Sequence, residues 1–220
     1  LLWGYGKHPP VSGWIAGIWF RFLPVADWSA YALAMTTLGF GLFVCWEIAN
    51  RVVDRRRAFL TVVLLALYPI FNFKGFKYNA DVAQIATLPL IVLAYLHAFE
   101  KRSRLAGLWL GLAAAIAVLT KYWAVTMIGA VGLAALLHPD RARFLRSPAP
   151  WTAMIVFALA LLPHVLWLRE IGFAPFTYAG TSYTLPSRFD AIAAASNFFT
   201  HHLALLAPML LALVLVLSLR

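Results

Sequence analysis

Long apolar runs broken by short polar connectors set the pattern of this chain. A membrane crossing needs about 20 mostly apolar residues at about 1.5 Å rise each. Seven runs approach that length, at roughly 28–49, 58–73, 81–99, 105–120, 123–137, 151–168 and 203–219. Each predicts a helix with ends fixed only to a few residues. Several fall short of 20, which requires upright helices, extension into the interface or a thinned bilayer. The stretch 11–23, VSGWIAGIWFRFL, is shorter still and interrupted by Arg21. It predicts a helix along the membrane surface, with Trp14 and Trp19 at headgroup level. The expected fold class is all-α integral membrane, about seven spans plus an interfacial helix, in one transmembrane domain over residues 1–220.

Composition supports lipid as the solvent. The chain is 63% hydrophobic and only 12% charged, with mean hydropathy +0.82, whereas soluble domains carry about 25% charged residues. A core able to hide that much apolar surface from water exceeds what 220 residues enclose. A net charge of +10 would suggest nucleic acid in a soluble protein. Here the basic residues form short clusters between apolar runs, as in loops facing an anionic leaflet. The single cysteine, Cys45, lies within an apolar run, so no disulfide forms within the chain. The first residues lack the basic n-region and cleavage site of a signal peptide. The chain starts without Met and stops at Leu-Arg after an apolar segment, so it reads as truncated at both ends.

Orientation follows from Lys and Arg. The connectors after the first, third and fifth runs are RVVDRRR, EKRSR and HPDRARFLR; with Arg220 they hold 11 of the 18 basic residues. The positive-inside rule places them in the cytoplasm. The opening KHPP, the FKGFKYNAD turn, the LTKYW turn and a long loop at 169–202 then face outward.

On that outer side polar groups come from Lys7-His8, from Lys74, Lys77 and Asp81, from Lys121, and from His164 through His202. Ionisable groups near lipid are costly and mark functional sites by default. Snorkelling is the ordinary role for Lys7 and His8. Pro9-Pro10 argues for more, because two fixed φ angles and an extended residue before proline restrict the side chains just upstream. Such preorganisation suits binding a phosphate or orienting a leaving group. Asp81 is either an acid at a helix start capped by Asn79 or a site residue, and Lys77 is its simplest partner. Lys121, with no acid near it in sequence, either snorkels outward or meets an anion. His164 follows Pro163; a lone His in an apolar helix is more often hydrogen-bonded packing than a ligand. His201 and His202 diverge by about 100° on a helix and make a weak metal signal. Glu170 and Asp190 read as solvated loop carboxylates. No phosphate loop, G-x-S-x-G, H-E-x-x-H or C-x-x-C motif is present. Paired similar halves, frequent in secondary transporters, are not visible either.

Four segments carry a resemblance: GKHPPVSGWI, FKYNADVAQIATLPL, the Leu-Thr-Lys of LTKYW, and Pro163-His-x-x-Trp-Leu168. In that order, and all on one side, they resemble glycosyltransferase family 39, which holds protein mannosyltransferases and lipid A aminoarabinose transferases. The chain is most similar to the bacterial RgtA/B/C/D-like group. The resemblance implies a GT-C architecture of many membrane helices with an outer-face active site. It also implies a polyprenyl-phosphate-linked sugar as donor and a lipid or saccharide of the cell envelope, such as lipopolysaccharide, as acceptor. The setting implied is the bacterial inner membrane, with the active face periplasmic. The family's general base is an acid in the first outer loop, upstream of Leu1 here, which leaves this piece alone inactive. The basic residue adjoining Pro-Pro meets the donor phosphate, which is His8 with Lys7 beside it, and Asp81 corresponds to the acid at the start of a following span. Aminoarabinose transferases carry Glu-Lys before the prolines; those places hold Lys7 and His8, so the glutamate that supports a metal is missing. No soluble cofactor is implied, and a divalent metal is left open.

The chemistry fits the resemblance. A sugar leaving a polyprenyl phosphate develops negative charge on the phosphate, which preplaced cations stabilise most where water is excluded. Lys7, His8, Lys77, Lys121 and His164 are the expected substrate-binding set, with Asp81 the catalytic candidate. The competing reading is a non-enzymatic transporter for an anionic solute, or a flippase for the same lipid. Such proteins set ionisable groups near mid-membrane on broken helices. Pro69, Pro89 and Pro163 allow kinks, whereas the distinctive cations fall at one face.

Overall fold

The structure, a computed structural model, describes residues 3–72, 75–182 and 187–218. Among these residues the chain folds into α-helices: α1 Val11–Phe22, α2 Asp27–Val52, α3 Arg55–Leu67, α4 Ala80–Lys101, α5 Arg104–Thr120, α6 Ala124–Leu137, α7 Arg141–Leu145, α8 Pro148–Glu170, α9 Ala174–Ser182 and α10 Arg188–Ser218. The helical expectation stands, but the spans differ. Four helices are long and apolar enough to cross a membrane, namely α2, α4, α8 and residues 188–215 of α10, while α5 and α6 are shorter apolar helices.

The run at 58–73 does not form one helix. Helix α3 opens on three arginines and stops at Leu67. Pro69 holds the preceding Tyr68 extended, at φ −68° and ψ 129°, and Pro69–Phe71 form a 3-10 turn. The 13 residues of α3 reach only about 20 Å. The expected outer loop at 169–202 is also corrected. Helix α8 runs to Glu170, α9 follows, and α10 is continuous from Arg188. Between 188 and 207 there is neither Gly nor Pro, and Ala is frequent, so nothing breaks the helix. Ser187 caps it, its Oγ accepting from the Asp190 amide at 3.1 Å. His201 and His202 therefore lie inside a helix rather than in a loop.

Side-by-side packing fixes the helix directions. Helices α2 and α4 run parallel: Ala34 and Leu38 pack on Val82, and toward the other end Arg51 reaches Glu100 at 2.8 Å. Helix α5 returns against α4 and runs parallel to α8, its most extensive neighbour. At that seam a Cβ on Gly107 would run into the Ala149 backbone, and one on Gly111 into Ala153 and Val156. Gly107-x-x-x-Gly111 is thus a small-residue contact of the kind that membrane helices use to approach closely. Around it the core is largely alanine, with Ala98, Ala117 and Ala149 fully buried.

Alternation of the helices gathers the connectors at two ends. The basic ones, 52–55, 101–104 and 137–148, share one end. Residues 3–10, 68–72, 75–80, 120–124 and 170–174 share the other. Helix α1 is fastened there at both of its ends. The Tyr78 hydroxyl donates to the Ser12 carbonyl at 3.1 Å, and Trp19 Nε1 donates to the carbonyl of fully buried Ser29 at 3.0 Å.

Candidate functional site

Three stretches of chain, remote in sequence, build the end opposite the basic connectors. The first is the start of α4. Asn79 Oδ1 accepts from the amides of Asp81 at 2.8 Å and Val82 at 3.0 Å, which is the cap expected of it. This sets Asp81 in the first turn, where the helix dipole favours a carboxylate. Gln84 lies three residues on, on the same face.

The second stretch is the turn between α5 and α6. Thr120 is fully buried and its hydroxyl bonds back to Ile116 O at 2.8 Å. The chain then leaves the helix through Lys121, extended at φ −161° and ψ 135°. Helix α4 holds this lysine twice: Asp81 forms an ion pair with its ammonium, and Gln84 Nε2 donates to its carbonyl at 3.1 Å. The Lys121 side chain is 22% exposed and that of Asp81 65%. One partner is thus largely withdrawn from water while the carboxylate remains open to a ligand.

The third stretch is residues 3–10. Pro9 and Pro10 are buried and anchor it. The imidazole of His8 lies within the fields of Lys121, Lys7 and Asp81 together. Burial first, then Lys121 and Lys7, push its pKa below the usual 6.5, and Asp81 only partly opposes them. Free of ligand, His8 is therefore a neutral hydrogen-bonding ring rather than a third positive charge. Lys7 faces α9, its Nζ 5.5 Å from the Tyr178 ring centroid, a cation–π distance.

Helix α8 supports all of this from behind. His164 is 2% exposed; its Nδ1 lies 2.6 Å from Trp3 O and its Nε2 3.0 Å from the Tyr122 hydroxyl. Burial pushes the Tyr122 hydroxyl up to about 12, so it keeps its proton. Trp167 stacks on His164 at 5.3 Å between centroids. It also covers Gly4, where φ is +145° and a Cβ would stand 2.9 Å from the indole. Only glycine fits there.

The sequence-derived candidates therefore separate. Asp81 meets Lys121, and His8 with Lys7 lies in their field. His164 is adjacent, with both nitrogens engaged by the protein. Lys77 is exposed and, among the described residues, does not pair with Asp81, whose ion pair is to Lys121 instead. Lys74 lies outside the described residues. His202 bonds Phe198 O within α10 at 2.8 Å, and α10 packs on α3. Sequence reading missed Gln84, Tyr122, Phe176 and Tyr178. The Asp81-x-x-Gln84 spacing was a usable signal. Phe176, packed on Tyr122 at 4.9 Å, and Tyr178 were hidden in what was read as loop. Among the described residues no three His, Cys, Asp or Glu side chains come together. The carboxylate here already carries an ammonium, a donor set that does not fit a divalent metal.

A family model described as dolichyl-phosphate-mannose-protein mannosyltransferase matches residues 7–167. That match begins at Lys7 and ends at Trp167, so it takes in Lys7, His8, Asp81, Gln84, Lys121, Tyr122 and His164 but not Trp3, Gly4, Phe176 or Tyr178. Comparison with curated proteins and with solved structures gave no match. The chain belongs to the dolichyl-phosphate-mannose-protein mannosyltransferase family, and its chemistry is that of a membrane glycosyltransferase.

Proposed function

We propose that the chain carries the donor-phosphate site of a glycosyltransferase that moves a sugar from a polyprenyl phosphate to a lipid or saccharide acceptor. One observation carries the reading: the Lys121–Asp81 pair and the segment bearing Lys7 and His8 meet at a single end of the bundle, where Trp3 and Tyr122 bond the same His164 ring. As the bond between the anomeric carbon and the phosphate oxygen breaks, its electron pair stays on the phosphate. Lys121 and Lys7 stabilise that charge, and His8 adds a hydrogen bond that strengthens as it takes up a proton. Within this chain Asp81 is the carboxylate placed to receive the acceptor's proton; the family resemblance puts the principal base ahead of Leu1. A groove of about 460 Å³ is lined by Tyr5, Pro9, Trp14 and Ile18, with Arg21 also on its wall. An isoprenoid tail is the apolar shape that suits it.

The short basic connectors all lie at the opposite end, which supports a non-cytosolic active face by the positive-inside rule. In a bacterium that face is periplasmic and the membrane is the inner one. The cations also gather at an end of the helices rather than at their middle, which favours transfer chemistry over transport.

The test uses the full-length protein in proteoliposomes with a polyprenyl-phosphate sugar. Lys7→Ala and His8→Ala should each lower transfer at least about tenfold while membrane insertion stays normal. Unchanged transfer in both variants removes the phosphate site.

A further inference from the structure

We infer that His164 and Tyr122 form a positioning pair that holds the two halves of the phosphate site at a fixed separation without touching the substrate. The inference rests on the donor-site reading above and deepens it. One half, Lys7 and His8, follows Trp3 along the chain. The other, Lys121, immediately precedes Tyr122. Both halves are tied to the same imidazole, by Trp3 O at 2.6 Å and by the Tyr122 hydroxyl at 3.0 Å. A backbone carbonyl only accepts, so Nδ1 carries the hydrogen. The neutral ring then has its lone pair on Nε2, and Tyr122 donates to it. No ring nitrogen is left for a ligand, and at 2% exposure none reaches the ring.

The neighbours fit a support rather than a binding surface. Trp167, stacked on the imidazole, covers Gly4, and Phe176 packs on Tyr122. Pro163 immediately precedes the histidine inside α8. Helix α8 thus acts as a post carrying both the opening segment and the α5–α6 turn. If either bond is lost, Lys121 and His8 drift relative to each other, and a phosphate can no longer engage both together.

The experiment measures binding of a polyprenyl monophosphate to the full-length protein in detergent, alongside sugar transfer. The variants are Tyr122→Phe, His164→Asn, the double variant and Lys121→Met. His164→Asn retains a donor near the Nδ1 position and loses the Nε2 acceptor. Each of Tyr122→Phe and His164→Asn should weaken phosphate binding about fivefold, and the double variant no more than either alone, because one hydrogen bond is shared. ¹⁵N histidine spectra of the wild type should show one imidazole as the Nδ1–H tautomer, changed in Tyr122→Phe. That signature separates the pair from general loss of packing. Weakening by His164→Asn with none by Tyr122→Phe would mean the ring contacts the ligand itself, and would overturn the positioning role. Normal binding in both, with Lys121→Met impaired, would overturn it while leaving the donor site intact. Normal binding in all four would remove the donor-site reading itself.

Discussion

At the basic end Arg57 leans on Asp54 at 3.2 Å with 76% of its side chain exposed, and Arg143 lies 3.5 Å from Asp140 in the same manner. At the other end Lys121, 22% exposed, is paired to an acid from another helix and held again through its carbonyl. The Arg57 and Arg143 pairs join residues three apart on one local segment, unlike Arg51 and Glu100, which bridge α2 and α4 at the same end. Such exposed local pairs are screened and contribute little. The Lys121 pair joins residues 40 apart in sequence and fixes the mutual position of two helices. Abundant cations report which way the chain is threaded through the bilayer; convergent cations report where an anion is expected.

The largest test of that contrast is Lys121→Met against Arg57→Gln in the full-length protein. Transfer should fall about a hundredfold or more in the first, the scale of losing one preorganised donor to a developing charge, and stay unchanged in the second. Equal losses would break the comparison. Asp81→Asn sharpens it: phosphate binding should hold or tighten, because Lys121 loses its competitor, while transfer falls. A drop in phosphate binding would show that the ion pair builds the phosphate site rather than competing with it.

Next in size is the seam that carries Lys121 to its place. Gly111→Leu should destabilise the protein by about 1–3 kcal/mol through overpacking, seen as a lower melting temperature in detergent. Gly129→Ala, with nothing within 4 Å of its would-be Cβ, should not. A normal melting temperature for the leucine variant would mean that α5 and α8 do not meet at that seam.

A smaller effect comes from pH. The pKa of His8 is depressed in the free protein, and a bound phosphate raises it again, so the complex holds more protons than the free protein across that interval. Binding should therefore tighten as pH falls across that interval, by at most about tenfold per unit. His8→Gln should flatten the slope. In the free protein the sign is opposite: the unfolded chain protonates first, so the His8 contribution to stability is lost as pH falls below 6.5. The smallest effect is expected from Arg143→Gln, which should leave melting temperature and transfer as they were.

Much of the architecture was legible because its causes are local. Asn79 sits just ahead of an apolar run and does cap α4, as expected of it. The basic connectors were equally plain. Hydropathy alone misjudged 58–73, since apolar character passes smoothly through Tyr68-Pro69 while the backbone does not. It misjudged 169–202 for the converse reason: polar residues such as Asn197, His201 and His202 diluted the apolar signal in a sequence that nonetheless forms helix. At the site, Asp81 and Lys121 could each be singled out, but not joined, because that pairing depends on the packing of α4 against α5. The sequence offered Lys77, closer along the chain, as the partner for Asp81. Gln84 and Tyr122 went unnoticed because their bonds run to a carbonyl and to a ring in distant segments.

Gly4 holds a warning for anyone mapping this enzyme by exhaustive substitution. With φ at +145° beneath the Trp167 indole, it should accept almost no replacement, and in such a map it would stand out as sharply as Lys121. Its intolerance would measure the thickness of a ceiling and say nothing of chemistry. Sensitivity to replacement and contact with the sugar are separate properties, and this short glycine-containing bend is where they part.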